Sequence, residues 1–219
     1  TKFNFDGRNN KYSDFKWHWY HFNGTDYNNI NQKTAIYKMT GDGKNWDQGV
    51  DDENGNYDYL MFANIDYERG DVVEEMKRWG VWVANELNLD GFRLDAIKHI
   101  NNNFIEEFLK EVRKVRGEDF YAVGEYWKGD LGSIVEYLDN VNYQADLFDV
   151  PLHFNFFTAS KNGSAYDLRE VFNNSLVINK KLFSVTFVDN HDSQWGSSLE
   201  SQIDSWFKPL AYALILLVA

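Results

Sequence analysis

Three acidic residues follow short apolar runs at matching places in the chain, and their types and spacing could support catalysis. Asp95 follows GFRL, Glu125 follows YAVG, and Asp192 ends the segment VTFVDNHD. The first two acids are 30 residues apart and the last two are 67 apart, close to one and two strand-helix repeats. Strands of parallel β/α folds end at one edge, so we expect the three acids to converge there. A single acid after a strand is usually a helix cap, but three at matched strand ends favour an active site.

The acids are suited to different chemical roles. Arg93 and Asp95 are two positions apart, so in a strand their side chains share one side, and the guanidinium would keep Asp95 ionised as a nucleophile. Glu125 precedes two aromatic residues, which would shield its carboxyl from water and favour the protonated acid. An ionised and a protonated carboxyl facing each other are typical of retaining glycosidases. Asp192 would then support the charged transition state or hold sugar hydroxyls.

The elements that must position these acids change in character near residue 70. Residues 1–68 are rich in Asn, Asp, Gly, Tyr and Trp, and alternating stretches such as 15–22 predict strands and turns. Beyond them, helical periodicity alternates with short apolar runs. The predicted helices cover 71–87, 102–115, 131–138, 167–172 and residues from 200 onward, and the predicted strands cover 91–94, 120–123, 146–150 and 183–188. This order predicts a parallel β/α architecture, either an open sheet or part of a (β/α)8 barrel.

Composition narrows the class of partner. A net charge of −12 argues against a nucleic-acid partner, because an acidic surface repels phosphate. The same charge is compatible with a neutral polymer or a bound cation. Aromatic residues make up 17% of the chain, and such rings either build a core or stack on sugars. The chain has no cysteine and therefore no disulfide framework. The apolar run at 209–219 is too short to span a membrane, so it predicts a buried helix or strand.

Three sequence blocks around the acids resemble one known family. DGFRLDAIKH (90–99), GEYW (124–127) and FVDNHD (187–192) are similar to the second, third and fourth sequence blocks of the α-amylase family of glycoside hydrolases. Three further stretches resemble its liquefying bacterial members: YSDFKWHWYHFNGTD, ENGNYDYLMFANIDY and SWFKPLAYALIL. The resemblance therefore covers nearly the whole chain. It implies a partial (β/α)8 TIM barrel, about strands 4 to 7, at 69–219, and an inserted β-rich small domain at 1–68.

The same resemblance implies roles for individual residues. Asp95 would be the nucleophile, Glu125 the acid/base and Asp192 the transition-state stabiliser. Five further residues would contact the sugar chain: Arg93, Lys98, His99, Trp127 and His191. The implied reaction is endo-hydrolysis of α-1,4-glucosidic bonds in starch and malto-oligosaccharides with retention. The alternatives are an α-glucosidase or transglycosylase that uses the same residues, and a non-catalytic truncated fragment.

A structural calcium ion is also implied, between the small domain and the barrel. Asp58, the residue at 64 and the backbone carbonyl of His99 match its main site, and calcium favours such oxygen ligands. Position 64 is Asn64 where the close relatives carry Asp, so one negative charge is lost and one oxygen is kept. We expect weaker binding there. The alternative is an Asn- and Asp-rich loop with turn chemistry only.

A second metal cluster of the family is less secure in this sequence. Asn23 replaces an Asp of that cluster, and Asp47 and Asp66 remain. The loss of a carboxylate makes this cluster doubtful. Two histidine-containing stretches point to structure and not to chemistry: WHWYH (17–21) reads as an alternating strand, and His153 follows a proline.

The family's first block, its outer strands and its C-terminal domain have no counterpart in this chain. We therefore expect the isolated fragment to be inactive and poorly folded, because an incomplete barrel exposes sheet edges and apolar surface. A single cooperative unfolding transition in urea would contradict that expectation. The parent enzyme is expected to be monomeric and extracellular, since starch is too large to enter cells.

Overall fold

The computed structural model describes residues 14–51 and 59–218. Contacts between residues divide the chain into two compact units. The first comprises Thr1–Asp90 with Lys98–Phe120, and the second comprises Gly91–Ile97 with Tyr121–Ala219. Among the helices of the described residues, none combines the length and the apolar character needed to cross a membrane.

The first unit contains a three-stranded antiparallel sheet. Its strands are β1 (Phe22–Asn28), β2 (Lys33–Lys38) and β3 (Ala63–Ile65), in the order β2-β1-β3. The predicted strand at 15–22 is wrong: Trp19–His21 form a 3-10 turn, and β1 begins only at Phe22. The aromatic alternation arises from ring packing, because the Trp17 ring lies 5.7 Å from that of His21.

Two long helices complete this unit, close to their predicted positions. They are α1 (Gly70–Glu86) and α2 (Asn102–Arg116). Asn101 caps α2 by accepting a hydrogen bond from the Phe104 N–H at 3.1 Å. The helices approach closely at Gly80, where an added Cβ would lie 2.3 Å from Phe108 Cε2.

The second unit is built on a four-stranded parallel sheet. Its strands are β4 (Gly91–Leu94), β5 (Tyr121–Gly124), β6 (Asp146–Phe148) and β7 (Ser184–Val185), in the order β4-β5-β6-β7. Because all four strands run in the same direction, their carboxyl ends lie at one edge. This sheet and its helices confirm the predicted partial (β/α)8 barrel architecture.

The helices of the second unit differ from the predictions at several points. They are α3 (Leu131–Asn140), α4 (Val150–Asn162), α5 (Leu176–Asn179) and α6 (Lys208–Val218). No helix was predicted over α4. Its proline lies in the first turn, where proline is favourable, and Asp149 caps it, so β6 ends at Phe148 and not at 150.

The segment from 167 to 207 is less regular than predicted. The predicted helix at 167–172 is only a 3-10 turn, Leu168–Glu170, and the predicted strand at 183–188 is reduced to two residues. The last helix begins at Lys208 and not near 200, because the N–H groups of Ser201 and Ile203 instead bind to acceptors in the preceding loop. Side chains of α4, α6 and this loop form a buried apolar cluster that includes Leu152, Phe156, Ile203, Phe207 and Ala211.

Candidate active site

A cavity of about 140 Å³ opens at the carboxyl ends of the parallel strands. Residues from the ends of all four strands or from the segments that follow them line it: Arg93, Glu125, Trp127, Phe148, Phe187, Asp189, Asn190 and His191. One arginine, two acids and a histidine thus meet three aromatic rings. Four of these residues were predicted site residues, Arg93, Glu125, Trp127 and His191, whereas the predicted catalytic acids Asp95 and Asp192 are not among the residues that line the cavity.

Glu125 is the most enclosed acid of the cavity. Its side chain is 6% exposed, and its Oε2 accepts a hydrogen bond from the Ala96 N–H at 3.2 Å. Its backbone continues the pairing with β4, since the Glu125 N–H donates to Leu94 O at 2.9 Å. The preceding Gly124 has no room for a side chain, because an added Cβ would lie 2.3 Å from Ile97 Cδ1. Backbone and glycine therefore fix where this carboxyl sits.

Arg93 joins two of the predicted acids. Its Nη1 lies 2.6 Å from Asp95 Oδ1, and its Nη2 lies 3.5 Å from Glu125 Oε1. Asp95 is far more accessible than Glu125, with a side chain 66% exposed. The two carboxyls therefore share one cation but differ strongly in their contact with water.

The segment after β7 holds the third predicted acid in a fixed turn. Asn190 Oδ1 accepts hydrogen bonds from the N–H groups of Asp192 at 2.9 Å and Ser193 at 2.8 Å. Ser193 is fully buried, and its Oγ in turn accepts from the Asn190 N–H at 3.0 Å. His191 Nε2 lies 3.1 Å from Asp192 Oδ2. His191 lines the cavity, and Asp192 is its immediate neighbour.

Aromatic rings supply the apolar walls of the cavity. The rings of Trp127 and Phe187 lie 6.0 Å apart, and Phe148 packs edge to face on Phe187 at 5.7 Å. The Arg93 guanidinium lies 5.9 Å from the centre of the Phe148 ring. Rings beside paired carboxyls can bind a sugar by its apolar face while the acids reach its glycosidic oxygen and anomeric carbon.

The residues assigned to a second metal cluster are engaged in other contacts. Asn23 is fully buried and directs Nδ2 to Asp47 Oδ1 at 3.4 Å, while Asp47 Oδ2 accepts the Tyr67 N–H at 2.9 Å. The Lys44 ammonium binds Asp66 directly. Amide and ammonium hydrogens thus point at the oxygens that a cation would need, so this donor set does not fit a second metal cluster. Within the described residues, no group of three or more acids and histidines is arranged to hold a metal ion.

Three residues were predicted to form the main metal site. Asp58 lies outside the described residues. Asn64 is in β3 and donates from Nδ2 to Asn23 Oδ1 at 2.8 Å. His99 ends the 3-10 turn Ile97–His99, and Lys98 and His99 belong to the first unit. The predicted sugar contacts of Lys98 and His99 therefore stay predictions.

Four cavity residues were not identified as site residues from the sequence. Phe187, Asp189 and Asn190 belong to the block FVDNHD, from which only its histidine and last acid were selected. Phe148 ends β6, but the predicted strand runs to 150, so the sequence pattern places Phe148 inside the strand. Taking every residue of the block as a site candidate would have found the first three.

These features define a partial (β/α)8 barrel with a carboxylate site at its strand ends. A family model for the α-amylase catalytic domain matches residues 2–218, and the chain belongs to this family. It is 54% identical over 216 residues to an α-amylase of Bacillus licheniformis, a match that covers 99% of this chain and 42% of the relative. It is 42% identical to the cytoplasmic α-amylase of Escherichia coli, covering 99% of this chain and 44% of the relative. The chain thus spans about two fifths of the length of these relatives.

The chain also resembles a solved α-amylase structure. The α-amylase of Geobacillus thermoleovorans, crystallised with acarbose, is 28% identical and superposes with a TM-score of 0.52. The superposition covers 61% of this chain and 30% of that structure.

Proposed function

We propose that the protein carrying this chain is a retaining glycoside hydrolase that cleaves internal α-1,4-glucosidic bonds of starch and malto-oligosaccharides. The observation that carries the proposal is the contact of one guanidinium, Arg93, with both Asp95 and Glu125 at the end of two neighbouring strands. Family membership and the acarbose complex of a related structure support the substrate class.

In the proposed mechanism, the exposed Asp95 carboxylate attacks the anomeric carbon and forms a covalent glycosyl-enzyme. Arg93 holds that carboxylate in place through the ion pair at 2.6 Å. Glu125, enclosed beside aromatic rings, gives a proton to the leaving oxygen and then removes one from the attacking water. Asp192 stabilises the positive charge that develops on the sugar, and His191 contacts the same ring.

Calcium is proposed as a structural ion at the main site only. Asp58, the Asn64 side-chain oxygen and the His99 backbone carbonyl would hold it, and it would stabilise the fold without taking part in the reaction. We also propose the boundary between the small domain and the barrel at residues 68 and 69. An extracellular parent is proposed from the size of starch.

Replacement of Glu125 by Gln in the full-length protein tests the function. We expect kcat on starch to fall by about 10³-fold, since the amide cannot exchange a proton, while the thermal unfolding midpoint is nearly unchanged. Glu118→Gln, at an exposed residue, is the control and should keep full activity. Hydrolysis by the Glu125 variant at the wild-type rate would rule out the assignment.

The products separate this proposal from its alternatives. Early release of long oligosaccharides indicates internal cleavage, whereas glucose alone indicates an α-glucosidase. Longer chains made from added maltose would indicate transfer to sugar acceptors. New reducing ends that first appear as the α-anomer in NMR spectra would demonstrate retention.

A further inference from the structure

His153 is a fully buried titratable side chain that the proposed mechanism does not use. It lies in the first turns of α4, and its Nδ1 lies 2.7 Å from the carbonyl oxygen of Val188. Its Nε2 lies 2.8 Å from Ser201 Oγ. Val188 directly precedes the cavity residue Asp189, and the Ser201 N–H donates to Ser193 O at 3.0 Å. One imidazole therefore connects both ends of the loop that carries the third proposed catalytic acid.

The hydrogen bonds define which nitrogen carries the proton. A carbonyl oxygen only accepts, so Nδ1 must donate to Val188 O. Burial lowers the pKa of His153, and the bond to Val188 and the charge of Asp189 oppose that shift only in part. The ring is therefore neutral near pH 7 with its proton on Nδ1, and Nε2 lies 2.8 Å from the Ser201 hydroxyl, whose single proton also has Leu199 O within 2.8 Å. This fixes the ring orientation at both nitrogens.

The faces of the same ring support the cavity walls. His153 stacks on Phe187 with ring centres 5.1 Å apart and planes 8° apart. Its centre also lies 5.3 Å from that of Trp127. Phe187 and Trp127 both line the cavity, whereas His153 lies behind them. A shift of the imidazole would move two walls and the loop together.

We propose that His153 is a positioning residue that sets the segment Asp189–Asp192 relative to Glu125, through paired hydrogen bonds and ring stacking. The inference deepens the proposed hydrolase function and rests on it for its kinetic consequence. His153 touches neither the substrate nor the reacting atoms. It acts through the backbone of Val188 and through Ser201.

The test compares His153→Phe with Ser201→Ala in the full-length protein. The phenylalanine keeps ring volume and stacking but loses both hydrogen bonds. The alanine removes the partner of Nε2 and, with it, the bond of Ser201 Oγ to Leu199 O. Because small misplacement of catalytic groups costs mainly rate, we expect kcat on starch to fall about 100-fold in His153→Phe, with KM within about threefold. Ser201→Ala should lose about tenfold in kcat, as expected for one hydrogen bond. The double variant should lose less than the product of the two single losses, because the two side chains share one hydrogen bond.

Phe156→Leu is the matched control, because Phe156 is fully buried on the same helix but outside the cavity. It should lower the unfolding midpoint and leave kcat unchanged at a temperature where the protein is folded. If His153→Phe behaves in the same way, His153 only stabilises the fold and the proposal is wrong. Additive losses in the double variant would equally overturn it.

Crystal structures of the full-length wild type and the His153→Phe variant provide a readout that needs no activity. We expect the Asp192 carboxyl to move by about 1 Å or more relative to Glu125, and an unmoved segment would overturn the proposal. If the wild type cleaves no α-glucan, the proposed function fails, and these structures alone decide the positioning role.

Discussion

Arg93 illustrates how a single residue can assign different roles to two acids. The guanidinium contacts both Asp95 and Glu125, yet their side chains are 66% and 6% exposed. Asp95 is therefore open to solvent, whereas Glu125 is enclosed and accepts a hydrogen bond from the Ala96 N–H. The difference in solvation, more than the shared cation, separates nucleophile from acid in the proposed mechanism. Their places relative to the strands do not explain it, since Asp95 lies one residue beyond β4 and Glu125 one beyond β5.

Gly124 is the residue on which the placement of Glu125 depends most directly. A Cβ at this position would lie 2.3 Å from Ile97 Cδ1 and 3.1 Å from Leu147 Cδ2, in a region where both neighbours are buried. We expect Gly124→Ala to lower the free energy of unfolding by about 1–3 kcal/mol, as overpacking does. Displacement of Ile97 would also shift Ala96, whose N–H binds Glu125, so kcat should fall as well. Urea unfolding and starch hydrolysis of the full-length variant measure both effects.

Gly70→Ala is the control for that substitution. Gly70 begins α1 at a position where an added Cβ meets nothing within 4 Å. Alanine favours a helix over glycine, so this variant should be as stable as the wild type or more so, with full activity. If Gly124→Ala changed neither stability nor activity, the claim that β5 has no room for a side chain at position 124 would be wrong.

At the scale of elements, a single buried carboxylate ties together three segments of the second unit. Asp149 caps α4 by accepting from the Leu152 N–H, and it also accepts from the first N–H groups of α5, those of Leu176 and Val177. Ser184, at the start of β7, donates to the same carboxylate at 3.3 Å. The proposed positioning of the cavity loop by α4 therefore requires Asp149, because it fixes α4 relative to β7.

Replacement of Asp149 by Ala would leave three buried backbone N–H groups without their acceptor. We expect the free energy of unfolding to fall by about 3 kcal/mol or more, because each buried unsatisfied donor costs on the order of 1–3 kcal/mol. Asp130→Ala removes the exposed cap of α3, whose carboxylate accepts from the Ser133 N–H at 2.8 Å, and should cost much less. Denaturant unfolding of the full-length variants makes the comparison. Equal losses in the two variants would contradict the linking role of Asp149.

Sequence patterns predicted the elements that have a clear period and missed the others. The helices α1 and α2 and the strands β4 and β5 lie within one or two residues of their predicted positions, because their apolar residues repeat on one face or form one short run. The first turn of α4 is buried at each of its residues 150–153 and contains a proline, so neither periodicity nor breaker signals identified the helix. The short β7 was overestimated, since the carbonyl of Val188 binds the side chain of His153.

The candidate site was predicted to a similar extent and for a related reason. Motif residues at strand ends were found because strand direction alone brings them to one edge. The contribution of His153 could not be predicted, because it depends on a helix that was missed and on contacts 35 and 48 residues away. Long-range side-chain contacts of this kind leave no local pattern in a sequence.

At the scale of the whole molecule, the net charge of −12 means that negative side chains repel one another unless cations or other side chains neutralise them. Bound calcium commonly neutralises clustered carboxylates. In this chain the second cluster is neutralised internally: Lys44 is buried against Asp66 and also donates to Tyr20 O at 2.6 Å. Asn23 presents its amide group to Asp47. A carboxylate at position 23 would instead need a cation between itself and Asp47. We therefore expect this part of the molecule to be stable without a metal ion.

Restoring the carboxylate by Asn23→Asp tests that expectation in the full-length protein. Two buried carboxylates would then face each other, so the variant should unfold at a lower temperature than the wild type in excess chelator. Millimolar calcium should recover the difference, and metal analysis after dialysis should find more calcium per chain than in the wild type. Asn45→Asp adds the same charge at an exposed position of the same unit and should change neither quantity. A wild type that already binds as much calcium as Asn23→Asp would show that the amide has not replaced the ion.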